Sequence, residues 1–119
     1  MSANQKILVV DDEQDISDLI SYNLTKEGYQ VYTAPNGKIA IEKAKEVNPD
    51  LIILDVMMPV MDGIEACRIM RAMPEFKNTF MVFLTARSEE YSEIAGFNVG
   101  ADDYIAKPIK PRALMSRIN

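Results

Sequence analysis

Five short apolar runs alternate with longer amphipathic stretches along the chain, and this alternation strongly limits the folds that it can adopt. The runs cover residues 7–10, 29–34, 51–54, 80–84 and 104–106. Three of them are continuously apolar, which is typical of strands buried on both faces of a parallel sheet. Between the runs, apolar residues recur at helical spacing over 14–27, 37–47, 63–73 and 88–99, and Pro111 is placed to open a last helix.

This order of elements predicts an α/β fold with a doubly wound, five-stranded parallel sheet and helices on both faces, the flavodoxin-like architecture. Connections between successive parallel strands are right-handed, so the helices cover both faces of the sheet. The 119 residues match the size of one domain, and we expect residues 1–119 to form it. The last helix stops mid-pattern at Asn119 without a cap, so we expect it to be truncated.

Composition and charge exclude several classes of function. The chain has no histidine, so it cannot build a histidine-based triad, a phosphohistidine carrier or a histidine-ligated zinc site. A formal net charge of −5 argues against a nucleic-acid-binding surface on this segment. Cys67 is the single cysteine, which fits a reducing compartment. Residues 1–6 lack the pattern of a secretory signal, so we expect a cytoplasmic protein.

Polar side chains follow four of the five apolar runs, at the point where each run ends. They are Asp11 and Asp12 after the first run, Asp55 after the third, Thr85 after the fourth and Lys107 after the fifth. Because ligands bind at the carboxyl ends of parallel strands, we expect these side chains to share one cleft. The second run contributes no such residue, as is typical of an edge strand.

A cleft with three carboxylates favours a bound cation, because like charges at short distance repel each other strongly in a semi-buried site. An oxygen-only site with room for water suits Mg²⁺ best. Lys107 is a compact charge that can pair with a carboxylate or a phosphate, and Thr85 offers a hydroxyl donor. Taken singly, each residue also fits a structural role such as a helix cap, a turn or a surface charge. Together, at four strand ends, they favour a site for phosphate and metal.

The motifs VVDDE, LDVMMPVMDG, LTA and GADDYIAKP extend this interpretation. In order and approximate spacing they resemble the signature blocks of the receiver domains of bacterial two-component response regulators, over essentially the whole chain. The resemblance implies that Asp55 accepts a phosphoryl group from a partner sensor histidine kinase. It also implies a Mg²⁺ ion held by Asp11, Asp12, Asp55 and the backbone carbonyl of Met57.

The same resemblance implies roles for residues at the ends of the last two strands. Thr85 and Lys107 would hold oxygens of the phosphoryl group, and with Asp55 they would form the catalytic set. Such a domain assists its own phosphorylation and dephosphorylation but is a phosphoacceptor, not an enzyme. Thr85 and Tyr104 would shift together and change the surface around the fourth helix and fifth strand. The resemblance further implies a cis peptide bond between Lys107 and Pro108.

The C-terminal segment KPIKPRALMSRI is similar to the winged-helix (OmpR/PhoB-type) branch of the family. Receivers of that branch dimerise through the fourth helix, fifth strand and fifth helix, and they regulate transcription through a DNA-binding domain that is absent from this chain. Asp102, Asp103 and Arg117 match charged positions of that interface. Glu93 stands where a basic residue is usual and Ala113 where an acidic one is usual, so one ion pair is missing and the dimer mode stays open.

Three other interpretations fit parts of the pattern. A standalone receiver that docks on a partner protein shares every site residue. A phosphatase with an aspartyl nucleophile after its first strand would use Asp11 and Glu13, but it leaves Asp55 and Lys107 without a joint role. A flavodoxin-like cofactor binder needs a hydroxyl- and glycine-rich loop after the first strand, and the acidic residues 11–13 would repel the cofactor phosphate.

Overall fold

The computed structural model describes residues 5–85, 99–107 and 110–118. Within these ranges the strands are β1 Lys6–Val10, β2 Gln30–Ala34, β3 Leu51–Asp55, β4 Phe80–Thr85 and β5 Asp103–Ala106. The helices are α1 Gln14–Lys26, α2 Gly37–Val47, α3 Gly63–Arg71 and the C-terminal helix Pro111–Ile118, with a 3₁₀ turn at Pro74–Phe76. The helix predicted over 88–99 lies, except for its last residue, outside the described residues.

The strands form one parallel sheet in the order β2-β1-β3-β4-β5. Val9 of β1 lies opposite Thr33 of β2 on one side and Ile53 of β3 on the other. At the far edge, Thr85 of β4 lies opposite Ala106 of β5. The direction of winding therefore reverses between β1 and β3. The predicted doubly wound five-stranded sheet and the edge position of β2 are both confirmed.

The core lies on both faces of this sheet. Alternate residues of a strand point to opposite faces, so Leu8 packs into a cluster with residues of α2 and α3, whereas Ile7 packs into a second cluster with residues of α1 and the C-terminal helix. Both residues are 0% exposed. Burial on two faces leaves no position for a polar residue, and for that reason β1, β3 and β4 appear as apolar runs in the sequence.

The ends of the described helices lie within one residue of their predicted positions, except for the end of α3. The side chain of Asp62 caps α3 by accepting a hydrogen bond from Glu65 N at 2.8 Å, and Gly28 takes a positive φ of 99° just after α1. The sequence predicted that α3 would reach Met73, but it ends at Arg71. Met73 precedes a proline and is extended, with φ −94° and ψ 128°, because the proline ring disfavours helical backbone in the preceding residue.

Among the described residues, no helix is both long and apolar enough to cross a lipid bilayer.

Candidate functional site

Four strands end side by side at the carboxyl-terminal end of the sheet, where the direction of winding reverses between β1 and β3. Asp11 follows β1, Asp55 ends β3, Thr85 ends β4, and Lys107 follows β5. The first three are buried, with exposed fractions of 3%, 4% and 4%. An open α/β sheet forms its ligand crevice at such a switch point, since the loops that leave neighbouring strands there run to opposite faces.

Three carboxylates converge in this crevice. Asp11, Asp12 and Asp55 each offer an oxygen, and these atoms lie within 4.8 Å of one another. Asp11 and Asp55 are buried, whereas Asp12 is exposed. Glu13 N donates a hydrogen bond to Asp11 Oδ1 at 2.9 Å, which fixes the orientation of that carboxylate at the turn into α1. The cluster is therefore open to solvent on the side of Asp12.

Lys107 balances part of this negative charge. Its Nζ lies 3.2 Å from Asp11 Oδ2, 3.2 Å from Asp55 Oδ2 and 3.5 Å from Glu13 Oε1. The backbone holds the residue in place, because Lys107 N donates a hydrogen bond to Thr85 O at 2.7 Å. One ammonium group thus contacts three carboxylates, and the described residues of the crevice carry a net negative charge.

The electrostatics of the crevice are visible in the pKa values of two groups. Burial raises the pKa of Asp55 to about 6, and the charge of Asp11 adds to the rise while Lys107 opposes it. Burial alone would lower the pKa of Lys107, but the charges of Asp55 and Asp11 outweigh it and raise that pKa. Asp55 is therefore a carboxylate whose negative charge is poorly compensated by the protein.

The donor set fits a hard divalent cation. All three side chains of the cluster offer oxygen, which Mg²⁺ prefers, and exposed Asp12 leaves room for the water ligands that this ion usually keeps. Buried Asp11 Oδ2 lies in ion-pair contact with Lys107 but accepts no well-directed hydrogen bond from the residues that the structure describes. It therefore has a lone pair available for a metal.

The loop after β3 brings the backbone close to Asp55. A Cβ atom at Gly63, the first residue of α3, would lie 2.1 Å from the carbonyl oxygen of Asp55, so only glycine fits there. Gly63 N donates to Val56 O at 3.0 Å. Further along the loop, Val60 has a φ of 70° with a side chain that is 78% exposed. A β-branched residue is strained in that conformation.

Met57 and Tyr104 are the remaining predicted site residues within the described ranges. Met57 follows Asp55 by two residues, and its side chain is 74% exposed. Tyr104 on β5 is half-buried and packs against the core cluster on the side of α2 and α3. Their predicted roles in metal binding and switching stay predictions. The predicted cis bond before Pro108 and the predicted interface residue Glu93 lie outside the described residues.

Two features of this region were not predicted from the sequence. Glu13 contacts Lys107, and its position directly after the acidic pair is the only signal that could have indicated it. Asp102 was matched to a dimer interface, but its Oδ2 lies 2.6 Å from Arg71 Nη2 within the chain. No periodicity links Arg71 to Asp102, because the pair depends on how the end of α3 packs against residues 99–102.

Known proteins share this sequence and this fold. The sequence pattern of the response regulator receiver domain matches residues 7–119. The alkaline phosphatase synthesis transcriptional regulatory protein PhoP of Bacillus subtilis (strain 168) is 48% identical over 116 residues, which are 97% of this chain and 47% of PhoP. The chain thus spans about half the length of that relative.

Solved structures agree with the sequence comparison. The Vibrio cholerae chemotaxis protein CheY4 superposes with a TM-score of 0.93 at 36% identity, covering 98% of this chain and 97% of CheY4. DrrB, an OmpR/PhoB homologue from Thermotoga maritima, superposes with a TM-score of 0.86 at 35% identity, covering 97% of this chain and 51% of DrrB. This chain belongs to the response regulator receiver domain family.

Proposed function

We propose that Asp55 accepts a phosphoryl group from the phosphohistidine of a partner sensor histidine kinase, in a reaction that depends on Mg²⁺. The position of Lys107 is the main support for this proposal. Its Nζ lies 3.2 Å from both Asp55 Oδ2 and Asp11 Oδ2, in a crevice whose described residues carry a net negative charge. Such a crevice is prepared for a cation and a phosphoryl group. The match of residues 7–119 to the receiver family supports the same role.

The chemistry assigned to Asp55 is an in-line displacement at phosphorus. An oxygen of the ionised carboxylate forms the new O–P bond while the N–P bond of the donor breaks, and the electron pair of that bond leaves with the imidazole. Mg²⁺ held by Asp11, Asp12, Asp55 and the Met57 carbonyl would neutralise charge on the transferring group. Lys107 contributes a fixed positive charge beside the accepting oxygen, and Thr85 contributes a hydroxyl at the end of β4.

The product is a phosphoryl group on the chain itself, so the chain acts as a phosphoacceptor that assists its own phosphorylation and dephosphorylation. Thr85 and Tyr104 would carry the signal onward. Thr85 ends β4 within the buried crevice, and Tyr104 lies on the neighbouring edge strand β5. A shift of the Thr85 hydroxyl towards the phosphoryl group would open space for the Tyr104 ring and so change the surface around β5.

Transcription regulation through an attached DNA-binding domain is the output that we favour. PhoP is a transcriptional regulatory protein, and this chain spans 47% of it. A phosphorylation-dependent homodimer through the fourth helix, fifth strand and fifth helix would fit such an output. The alternative is a standalone receiver, favoured by CheY4, of which this chain covers 97%. Mass spectrometry of the protein in its natural cells would decide between them, by giving the length of the intact chain.

The cytoplasmic location of the protein stays a prediction.

Intact-mass spectrometry tests the central step. The protein is incubated with acetyl phosphate, with and without Mg²⁺, as wild type, Asp55→Asn and the control Asp15→Asn, which alters an exposed carboxylate on α1. We expect a single phosphoryl adduct that needs Mg²⁺, appears in wild type and control, and is absent from Asp55→Asn. An adduct that persists in Asp55→Asn would contradict the assignment and favour a nucleophile elsewhere, such as Asp11.

A further inference from the structure

The guanidinium group of Arg71, the last residue of α3, donates hydrogen bonds to acceptors in two neighbouring segments, residues 76–79 and 100–102. Its Nε donates to Gly100 O at 2.8 Å, and its Nη1 donates to Phe76 O at 2.8 Å and to Thr79 O at 2.6 Å. Its Nη2 donates to Asp102 Oδ2 at 2.6 Å. The side chain is 17% exposed. A nearly buried cation with this many directed bonds holds its surroundings in one geometry.

Asp102 connects this group to the sheet. Its Oδ2 accepts hydrogen bonds from Arg71 Nη2 and from Met81 N, the latter at 2.8 Å. Its own backbone N donates to Met81 O at 2.8 Å. Asp102 therefore binds both backbone groups of Met81, a residue of β4, immediately before β5 begins. The pairing of β5 with β4 starts at this point.

Two further contacts fix the same segment against α3. The stem of Arg71 lies so close to Gly100 that a Cβ atom there would be 2.9 Å from Arg71 Cγ. Cys67, one helical turn earlier on the same face of α3, has its Sγ 3.7 Å from Val99 O. The last two turns of α3 thus contact residues 99–102, where the chain enters β5.

β5 leads directly from this anchor to the crevice. It has four residues and, among the strands of the described ranges, lies at the edge of the sheet beside β4. At about 3.3 Å per residue, the five steps from Asp102 to Lys107 span about 16 Å. Any displacement of its start along the strand moves Lys107 relative to Asp55, and displacements of about 1 Å at a reacting group have large effects on rate.

We propose that Arg71 is a positioning residue for the phosphoacceptor site: by fixing the start of β5, it fixes Lys107 Nζ against Asp55 and Asp11. This inference rests on the proposed role of Asp55. Arg71 touches none of the reacting groups and acts through Lys107. Removal of the Arg71 side chain should therefore slow phosphorylation only in a protein that retains Lys107.

Rates of phosphorylation by acetyl phosphate and Mg²⁺ provide the first measurement. We expect Arg71→Ala, Arg71→Lys and Asp102→Asn each to lower the rate constant by about threefold or more. Arg71→Lys keeps the charge but cannot reach the same set of acceptors. The matched control is Arg68→Ala, which alters an exposed arginine of the same helix that pairs with Glu65 and should leave the rate unchanged. Circular dichroism establishes that each variant is folded at the assay temperature.

A double-mutant comparison separates positioning from general loosening of the fold. In a Lys107→Ala background, Arg71→Ala should produce no further loss of rate, because the group that it positions is gone. An equal fold loss in both backgrounds would overturn the inference. So would an Arg71→Ala variant that reacts as fast as Arg68→Ala.

Binding of Mg²⁺ alone, measured by calorimetry, gives a second readout. The affinity should rise in the variants whose phosphorylation rate falls. Lys107 competes with a cation for Asp11 and Asp55, so Arg71→Ala and Lys107→Ala should each tighten Mg²⁺ binding by about twofold or more. The double variant should bind no more tightly than Lys107→Ala. Weaker Mg²⁺ binding in Arg71→Ala would indicate general loosening and would refute a positioning role. Failure of the wild type itself to accept phosphate would instead refute the proposed function.

Discussion

At the residue scale, the unfavourable environment of the Asp55 carboxylate has a consequence for stability. Its pKa of about 6 in the folded protein exceeds its ordinary value of 3.8, so the folded state binds the proton more tightly than the unfolded chain does. The protonated group favours folding at pH below 3.8, and this contribution is lost as the pH rises through 6. At pH 8 the ionised carboxylate of Asp55 therefore destabilises the folded state.

Asp55→Asn should accordingly stabilise the metal-free protein at pH 8, by about 1–2 kcal/mol, because the amide keeps the shape without the charge. The gain should shrink as the pH is lowered from 8 to 5. Urea unfolding in the presence of a chelator, at both pH values, measures the free energy of unfolding. A variant that is less stable than wild type at pH 8 would mean that the Lys107 pair outweighs the burial of the charge.

Val60 is the second residue that costs the fold stability, in this case through its backbone conformation. Its φ of 70° is unfavourable for a β-branched side chain, and that side chain is 78% exposed, so little packing offsets the strain. Val60→Gly should raise the free energy of unfolding by about 1 kcal/mol, the strain relief exceeding the added entropy of the unfolded chain. Val60→Ala, as the control, should gain less. Equal or lower stability of the glycine variant in urea unfolding would contradict this account.

At the element scale, α3 approaches the site so closely that its first residue has no room for a side chain. Gly63→Ala would place a Cβ atom 2.1 Å from Asp55 O, and a backbone atom cannot move aside as a flexible side chain can. We expect a loss of about 2–4 kcal/mol in the free energy of unfolding, together with slower phosphorylation of Asp55. Glu65→Ala, which removes a solvent-exposed side chain from the same helical turn, should leave the free energy of unfolding close to that of the wild type. A Gly63→Ala protein as stable and as reactive as this control would contradict the close approach.

Elements differ in how well local sequence determines them. The runs that became β1, β3 and β4 were predictable because burial on both faces removes polar residues from them. The early end of α3 depended on the residue before Pro74, a local signal that the helical pattern of Met70 and Met73 obscured. The contacts of Arg71 with residues 99–102 had no local signal at all, because they join segments about thirty residues apart. Long-range polar contacts of this kind become visible only in the folded chain.

At the scale of the whole molecule, the doubly wound parallel sheet, the edge position of β2 and the position of the crevice were predictable from the order of strands and helices and from the residues at the strand ends. Right-handed crossovers leave few arrangements for five parallel strands, and the polar residues at the strand ends then select one edge. The convergence of Asp11, Asp55 and Lys107 followed from that topology. The distances among them, and the contact of Glu13 with Lys107, did not, because side-chain placement depends on packing that the pattern does not encode.

Binding of Mg²⁺ should stabilise the whole fold, since an ion that binds only the folded state shifts unfolding by mass action. The gain is about 2.7 kcal/mol when the ion is present at about 100 times its dissociation constant. Asp12 offers a clean test because it belongs to the carboxylate cluster but is exposed, so that its removal leaves no cavity. Asp15→Ala, which alters an exposed residue outside the cluster, is the matched control.

Whether the Asp12→Ala variant is more or less stable than the wild type should therefore depend on the Mg²⁺ concentration. Without Mg²⁺ it should be at least as stable as wild type, because one of three neighbouring negative charges is gone. With Mg²⁺ in excess it should be less stable, because it has lost a ligand and most of the gain from binding. Thermal unfolding at increasing Mg²⁺ measures both limits on the same samples, and Asp15→Ala should follow the wild type throughout. A parallel rise in melting temperature for Asp12→Ala and wild type would show that Mg²⁺ stabilises the protein elsewhere, and the cluster would then no longer be the metal site.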